Sequence, residues 1–117
     1  MAQDFRDIIA WQKARSLTLL IYEALENCKD YSYKDQVQRA SVSIMNNIAE
    51  GSERISDKSF NNYLRIARGS SAEIKSMLIL GFDRAYFDEE SFNKLFAHTN
   101  EVASILSGFM KKLMAKG

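Results

Sequence analysis

A long, unbroken pattern of apolar and small residues in the second half of the chain constrains the fold most. These residues recur at alternating steps of four and three: Phe60, Leu64, Ala67, Ser71, Ile74, Leu78, Gly81 and Ala85. Such spacing places them along one stripe of an α-helix, as expected where helices pack at a shallow angle. Because the chain contains no proline, nothing interrupts a helix of this length. We predict a helix from about Lys58 to Tyr86.

Three other segments show helical periodicity, separated by short polar breaks. We predict further helices from about Asp7 to Asn27, from about Lys34 to Gly51 or Arg54, and after Asp88 to about Met114. Residues 29–33 are predicted to be a loop. Ser56 or Asp57 is placed to cap the third helix and Asp88 the fourth, since short oxygen-bearing side chains satisfy free amides there.

No stretch shows the strict alternation of a half-buried strand. Short connections favour antiparallel neighbours. The sequence therefore predicts an all-α fold, an up-down antiparallel four-helix bundle, with residues 1–117 as a single domain.

The charge balance and the termini restrict the location and partners of the protein. Sixteen basic and 15 acidic side chains give a net charge of +1, whereas proteins that neutralise phosphates usually carry a marked basic excess. A single cysteine cannot form an internal disulfide. No segment is apolar over the length of a membrane span, and the N-terminus lacks the apolar run of a signal peptide. We expect a cytoplasmic protein that does not contact a membrane.

The second predicted helix carries an unusual polar stripe. Serine and asparagine compete for backbone hydrogen bonds and cost roughly a few tenths of a kcal/mol each in a helix. Here they are concentrated in mid-helix, within a stripe formed by Gln36, Arg39, Ser43, Asn46, Asn47, Glu50 and Arg54. We expect another interaction to compensate for this cost.

Three interpretations of the stripe stay open. In the first, it is a contact surface for a partner subunit or a nucleic-acid backbone. In the second, it is a solvated face. In the third, it forms an internal network in which Arg39 or Arg65 meets Glu50 or Glu73. Buried polar residues in bundles can fix register and oligomer state, which favours subunit contact. We predict a role in packing or assembly for Gln36, Arg39, Ser43, Asn46, Asn47, Glu50, Arg65 and Glu73.

The third predicted helix contains a glycine in its interior, Gly69, which is followed by Ser70, Ser71 and Ala72. Glycine inside a helix costs roughly 1 kcal/mol relative to alanine. Glycine usually occupies such a position because another backbone approaches closely. We therefore predict a tight helix crossing at this point.

The residue types that metal and catalytic sites need are scarce. His98 is the only histidine and Cys28 the only cysteine, whereas a zinc site needs several such ligands and a di-metal bundle needs Glu-x-x-His pairs. Nothing in the sequence activates or orients a Cys28–His98 pair. We expect no catalytic residue, metal, cofactor or small-molecule substrate, and hence no enzyme.

Three motifs, in order along nearly the whole chain, resemble a known family. Residues 38–51, followed by Arg54, closely resemble the signature of the four-helix-bundle proteins encoded in 23S rRNA intervening sequences. This family is also labelled the S23 ribosomal protein family. Residues 5–7 with 11–14 look like its N-terminal motif, and residues 63–73 look like its third-helix motif.

The resemblance implies a four-helix bundle that assembles as a homopentamer and has no established enzymatic activity. Related proteins include the accessory subunit of diversity-generating retroelements, a basic pentamer that partners a reverse transcriptase and binds nucleic acid. We predict a non-enzymatic homo-oligomer, a pentamer, whose partner is itself. The alternative is an RNA- or DNA-binding accessory protein, for which a net charge of +1 is weak. Its candidate contacts are Arg54, Arg68, Lys111 and Lys112.

Overall fold

A computed structural model describes residues 4–115, and every regular element in this range is helical. A 3₁₀ helix, Phe5–Asp7, precedes four α-helices: α1 (Ile9–Ala24), α2 (Tyr31–Ser52), α3 (Asp57–Asp83) and α4 (Glu89–Ala115). α1 and α3 each pack against both α2 and α4, forming a rod of 46 × 20 × 20 Å. Short connections reverse the chain between successive helices. The predicted all-α four-helix bundle is confirmed.

The start of α2 differs from the prediction. The sequence predicts a loop over residues 29–33 and a helix from about Lys34, whereas α2 begins at Tyr31. The Asp30 carboxylate accepts a hydrogen bond from the backbone amide of Tyr33 at 3.2 Å, which satisfies a free amide of the first turn. Apolar periodicity does not reveal this cap, because the residues of the first turn are largely polar or exposed.

The end of α3 also differs from the prediction. The helix stops at Asp83 rather than at Tyr86, because Ala85 has a φ of 61°. This left-handed conformation ends helices. Ala85 is exposed, so it is not the last member of the core stripe. α1 is likewise shorter than predicted at both ends.

The predicted N-terminal caps of α3 and α4 are confirmed. Ser56, rather than Asp57, caps α3, since its Oγ accepts a hydrogen bond from the backbone amide of Ser59 at 3.1 Å. Asp88 Oδ1 accepts one from the amide of Ser91 at 2.7 Å. Hydrogen bonding from Ser91 holds the pKa of the Asp88 carboxyl below its ordinary value.

The core lies along the bundle axis, where the apolar stripes of the four helices meet. In α3 the predicted stripe is buried from Leu64 to Gly81, and Phe60 is half-buried. Every helix contributes large side chains with almost no exposure: Leu17, Ile21, Ile44, Ile48, Leu64, Leu78, Val102 and Leu106. This continuous core makes the described helices one packing unit.

Two buried glycines let aromatic side chains approach a helix backbone closely. A Cβ at Gly81 would lie 2.6 Å from Phe87 Cε2 and 2.8 Å from Tyr33 Cζ, and one at Gly51 would lie 2.7 Å from Phe60 Cδ1. These distances are too short for carbon atoms in contact, so only glycine fits at the two positions without movement of the rings.

Candidate functional site

The predicted polar cluster occupies the outward sides of α2 and α3, two neighbouring helices. We call this surface the α2–α3 face and define it by these exposed or half-buried residues: Gln36, Arg39, Ser43, Asn46, Asn47, Glu50, Arg65, Ile66, Gly69 and Glu73. A hydrogen bond of 3.1 Å between the hydroxyls of Ser43 and Ser70 joins the two helices. Asn47 Nδ2 donates to the backbone oxygen of Ser43 at 2.8 Å and to its hydroxyl at 3.1 Å. These three side chains form a small interhelical network.

The interhelical ion pairs considered for this face are not formed. Arg39 Nε instead contacts Asp35 Oδ2 at 2.9 Å, and Glu50 Oε1 contacts Arg54 Nη2 at 2.8 Å. Each pair joins residues one helical turn apart, a spacing that brings side chains together on any helix. Among residues 4–115, Glu73 has no ion-pair partner. The face therefore presents charges of both signs to its surroundings.

The glycine in the middle of α3 lies on this face, and the tight crossing predicted there is wrong within one copy of the chain. Gly69 is exposed, and a Cβ built on it would have no atom within 4 Å. The close approaches occur at Gly51 and Gly81 instead. Ile66, about one turn from Gly69, is 54% exposed. Contacts inside the bundle therefore do not explain why a glycine stands at this position.

Of the four cations predicted to contact nucleic acid, Arg54 already binds side chains of its own chain. It lies where α2 meets α3, and its Nη2 donates to Glu50 Oε1 at 2.8 Å and to Tyr63 Oη at 2.5 Å. Its guanidinium also lies 4.7 Å from the centre of the Tyr63 ring, within the range of a cation–π interaction. This cluster joins α2 to α3 and leaves Arg54 less available to a phosphate.

The other three cations lie elsewhere, and the structure does not gather all four into one cluster. Lys111 and Lys112 are exposed near the end of α4, and Lys112 lines a groove that also contains Asp7. Arg68 lies between α3 and α4, where its Nη1 donates to Ser107 Oγ at 3.4 Å. It is therefore separate from the α2–α3 face.

Arg68 lines a groove between α3 and α4 that sequence reasoning did not identify. The groove has a volume of about 500 Å³, and Lys75, Asn100, Ser104 and Ser107 also line it. No acidic side chain is among its lining residues. Part of the signal was present in the sequence, since Arg68 and Lys75 are two helical turns apart and share a face of α3. The opposing residues depend on how α4 packs.

The described part of the chain shows no arrangement suited to metal binding. Among residues 4–115, no group of three or more His, Cys, Asp or Glu side chains is placed to hold a metal ion. Cys28 Sγ donates to the backbone oxygen of Asp30 at 3.9 Å, and His98 is a half-buried residue of α4. None of the described helices is long and apolar enough to cross a membrane.

Comparisons with known proteins support the fold and the family resemblance. A protein of unknown function from the S23 ribosomal protein family of Bacteroides thetaiotaomicron has a similar crystal structure, with a TM-score of 0.82. It is 24% identical over 88% of this chain and 99% of its own. No curated protein matches the chain. The family model described as 23S rRNA-intervening sequence protein matches residues 6–108, and the chain therefore belongs to that family.

Proposed function

We propose that this protein is a cytoplasmic, non-enzymatic homo-oligomer that associates through its α2–α3 face. The observation that carries the proposal is the grouping, on one face, of the exposed mid-helix Gly69 with the exposed Ile66 and with Glu73, which has no ion-pair partner among residues 4–115. A glycine at such a position lowers the stability of the helix. The close approach of a second copy accounts for its presence there. A pentamer is proposed because the sequence resembles those of pentameric bundles.

The chemistry of the α2–α3 face suits contact with another copy of the same chain. It combines an exposed isoleucine with hydroxyls, amides and charges of both signs, the mixture of apolar centre and polar rim that protein interfaces use. The carboxylate of Glu73 has no ion-pair partner within the described chain, and Arg65, about two turns away on the same helix, is exposed. A second copy presenting the same groups can complement both.

Replacing Gly69 by leucine is expected to dissociate the oligomer, because the new side chain fills the space that another copy needs. Gly108→Leu is the matched control, since Gly108 is also an exposed helical glycine with nothing within 4 Å of a Cβ. Light scattering at micromolar concentration should show a smaller particle for Gly69→Leu only. A monomeric wild type would refute self-association, and a Gly69→Leu variant of wild-type size would refute this face.

We propose as a second candidate function that the protein binds RNA or DNA. The favouring observation is the α3–α4 groove, in which two cations occur without an acidic neighbour. A local basic site of this kind can attract the phosphates of a nucleic acid although the whole chain has a net charge of only +1.

Binding of a single-stranded oligonucleotide is expected to weaken steeply as salt is added. Each phosphate contact lowers the logarithm of the binding constant by about 0.7 per tenfold rise in salt. Fluorescence anisotropy over a salt series measures this slope. The absence of binding at low salt would contradict the second proposal and leave the first unaffected.

A further inference from the structure

We propose that the groove between α3 and α4 is a binding site for linked phosphate groups, with Arg68 and Lys75 as its cations. This inference deepens the second candidate function, on which it rests, because it names the site and the chemical group recognised. It is independent of self-association through the α2–α3 face.

The two cations of the groove are not neutralised by the rest of the described chain. The ion pairs among residues 4–115 involve Arg6, Lys13, Arg39 and Arg54, and neither Arg68 nor Lys75 takes part in one. The hydrogen bond from Arg68 to Ser107 is long, at 3.4 Å, and engages one of the five N–H donors of a guanidinium. Two unpaired cations in a concave site attract anions more strongly than the same charges on a convex surface.

The α4 wall of the groove supplies neutral hydrogen-bond donors. Asn100, Ser104 and Ser107 are spaced by four and three residues, so they share one face of α4 opposite the cations. Phosphate oxygens only accept hydrogen bonds, and amide and hydroxyl groups can donate to them while the cations provide charge. The hydroxyl of Ser107 accepts from Arg68, which leaves its own proton free. The lining thus matches an oxyanion in both charge and donor character.

The spacing of the cations selects for more than one phosphate. Arg68 and Lys75 are seven residues apart on α3, which corresponds to about 10 Å along the helix axis. A single phosphate meets both cations only if the two long side chains fold towards each other, whereas a chain of linked phosphates can meet both in extended conformations. We expect inorganic phosphate alone to bind weakly, and a polyphosphate or a nucleic-acid strand to bind much more tightly.

Charges beyond the groove set the direction in which a polyanion extends. At the connection from α3 to α4, four acidic side chains outnumber the one cation there, Arg84: Asp83, Asp88, Glu89 and Glu90. At the other end, Lys111 lies one turn beyond Ser107 on α4 and is exposed. A bound strand is therefore repelled beyond Lys75 and attracted beyond Arg68, towards Lys111.

The test compares two double variants that remove the same charge. Arg68→Ala with Lys75→Ala empties the groove of its cations, and Lys29→Ala with Lys94→Ala removes two exposed cations outside it. Anisotropy of a labelled single-stranded oligonucleotide is measured over a salt series, and polyphosphate is added as a competitor. The groove variant should bind at least tenfold more weakly than the control, with a salt slope shallower by about 1.4. Thermal unfolding followed by circular dichroism shows that both variants remain folded.

The outcomes separate this inference from the function on which it rests. Loss of oligonucleotide binding in the groove variant alone supports the site, and competition by polyphosphate shows that phosphate itself is recognised. If the wild type binds and both double variants bind equally, the groove is not the site, although nucleic-acid binding stands. A wild type that binds neither probe at low salt overturns both. Should Arg68→Ala with Lys75→Ala unfold, Arg68→Gln with Lys75→Gln keeps the aliphatic stems and tests the same loss of charge.

Discussion

Replacing Gly81 by alanine is expected to lower the free energy of unfolding by about 2 kcal/mol. The added Cβ would lie 2.6 Å from Phe87 Cε2 and 2.8 Å from Tyr33 Cζ, and both rings are buried, with exposures of 6% and 5%. Tyr33 cannot move freely, because its hydroxyl donates a hydrogen bond to the backbone oxygen of Met77 at 2.5 Å. Overpacking therefore outweighs the gain of roughly 1 kcal/mol from replacing glycine in a helix.

Gly108→Ala is the control for this substitution and should have the opposite effect. Gly108 is exposed in α4 with nothing within 4 Å of a Cβ, so only the gain in helix propensity remains, up to about 1 kcal/mol. Denaturant unfolding at one protein concentration measures both variants, since association would shift the midpoint if the concentration varied. Equal stabilisation by the two alanines would contradict the close packing described at Gly81.

The stability of the protein is expected to fall above pH 10 because of Tyr33. Burial raises the pKa of this tyrosine well above its ordinary value of 10, and nearby Cys28, Tyr86 and Asp30 raise it further. The folded chain therefore keeps the phenol proton at a pH where the unfolded chain releases it. The contribution of protonated Tyr33 to the free energy of unfolding is therefore fully present below pH 10. It decreases as the pH rises, by up to about 1.4 kcal/mol per pH unit, until Tyr33 ionises in the folded state as well.

Tyr33→Phe isolates this effect, because phenylalanine cannot ionise. At neutral pH the variant should be less stable than the wild type by about 1 kcal/mol, through loss of the hydrogen bond to Met77. Above pH 10 the difference should shrink and then change sign. Tyr31→Phe, at a residue that is 70% exposed, should follow the wild type throughout. Unfolding curves at a series of pH values measure all three proteins, and parallel curves for Tyr33→Phe and the wild type would contradict the assignment.

Helix periodicity was sufficient to predict the architecture, because burial in a bundle depends on which side of each helix a residue occupies. The stripe from Leu64 to Gly81 is buried as its four-three spacing predicts. Capping residues were also readable where a short polar side chain precedes the helix, as at Ser56 and Asp88. The start of α2 was missed, because Asp30 stands before tyrosines that do not continue the apolar pattern clearly.

The glycines show where sequence reasoning reached its limit. Gly69, Gly81 and Gly51 all lie within helices, and the sequence pointed to the first as the tight contact. The structure places Phe87 and Tyr33 against Gly81 and leaves Gly69 open. Helical periodicity predicts that Gly81 faces the core, but it does not predict which side chain of another element arrives there. That depends on packing between residues distant in the chain.

For the candidate surfaces too, the sequence determines some features and the tertiary structure determines others. Local spacing alone shows that Arg39, Ser43 and Asn47 share one side of α2, and that Arg68 and Lys75 share a side of α3. Only the tertiary structure decides that Ser43 meets Ser70 and that Asn100 and Ser107 face the two cations. The physical reason is that helix faces follow from a repeat of 3.6 residues along the chain, whereas the partner of each face follows from how four helices fill one common core.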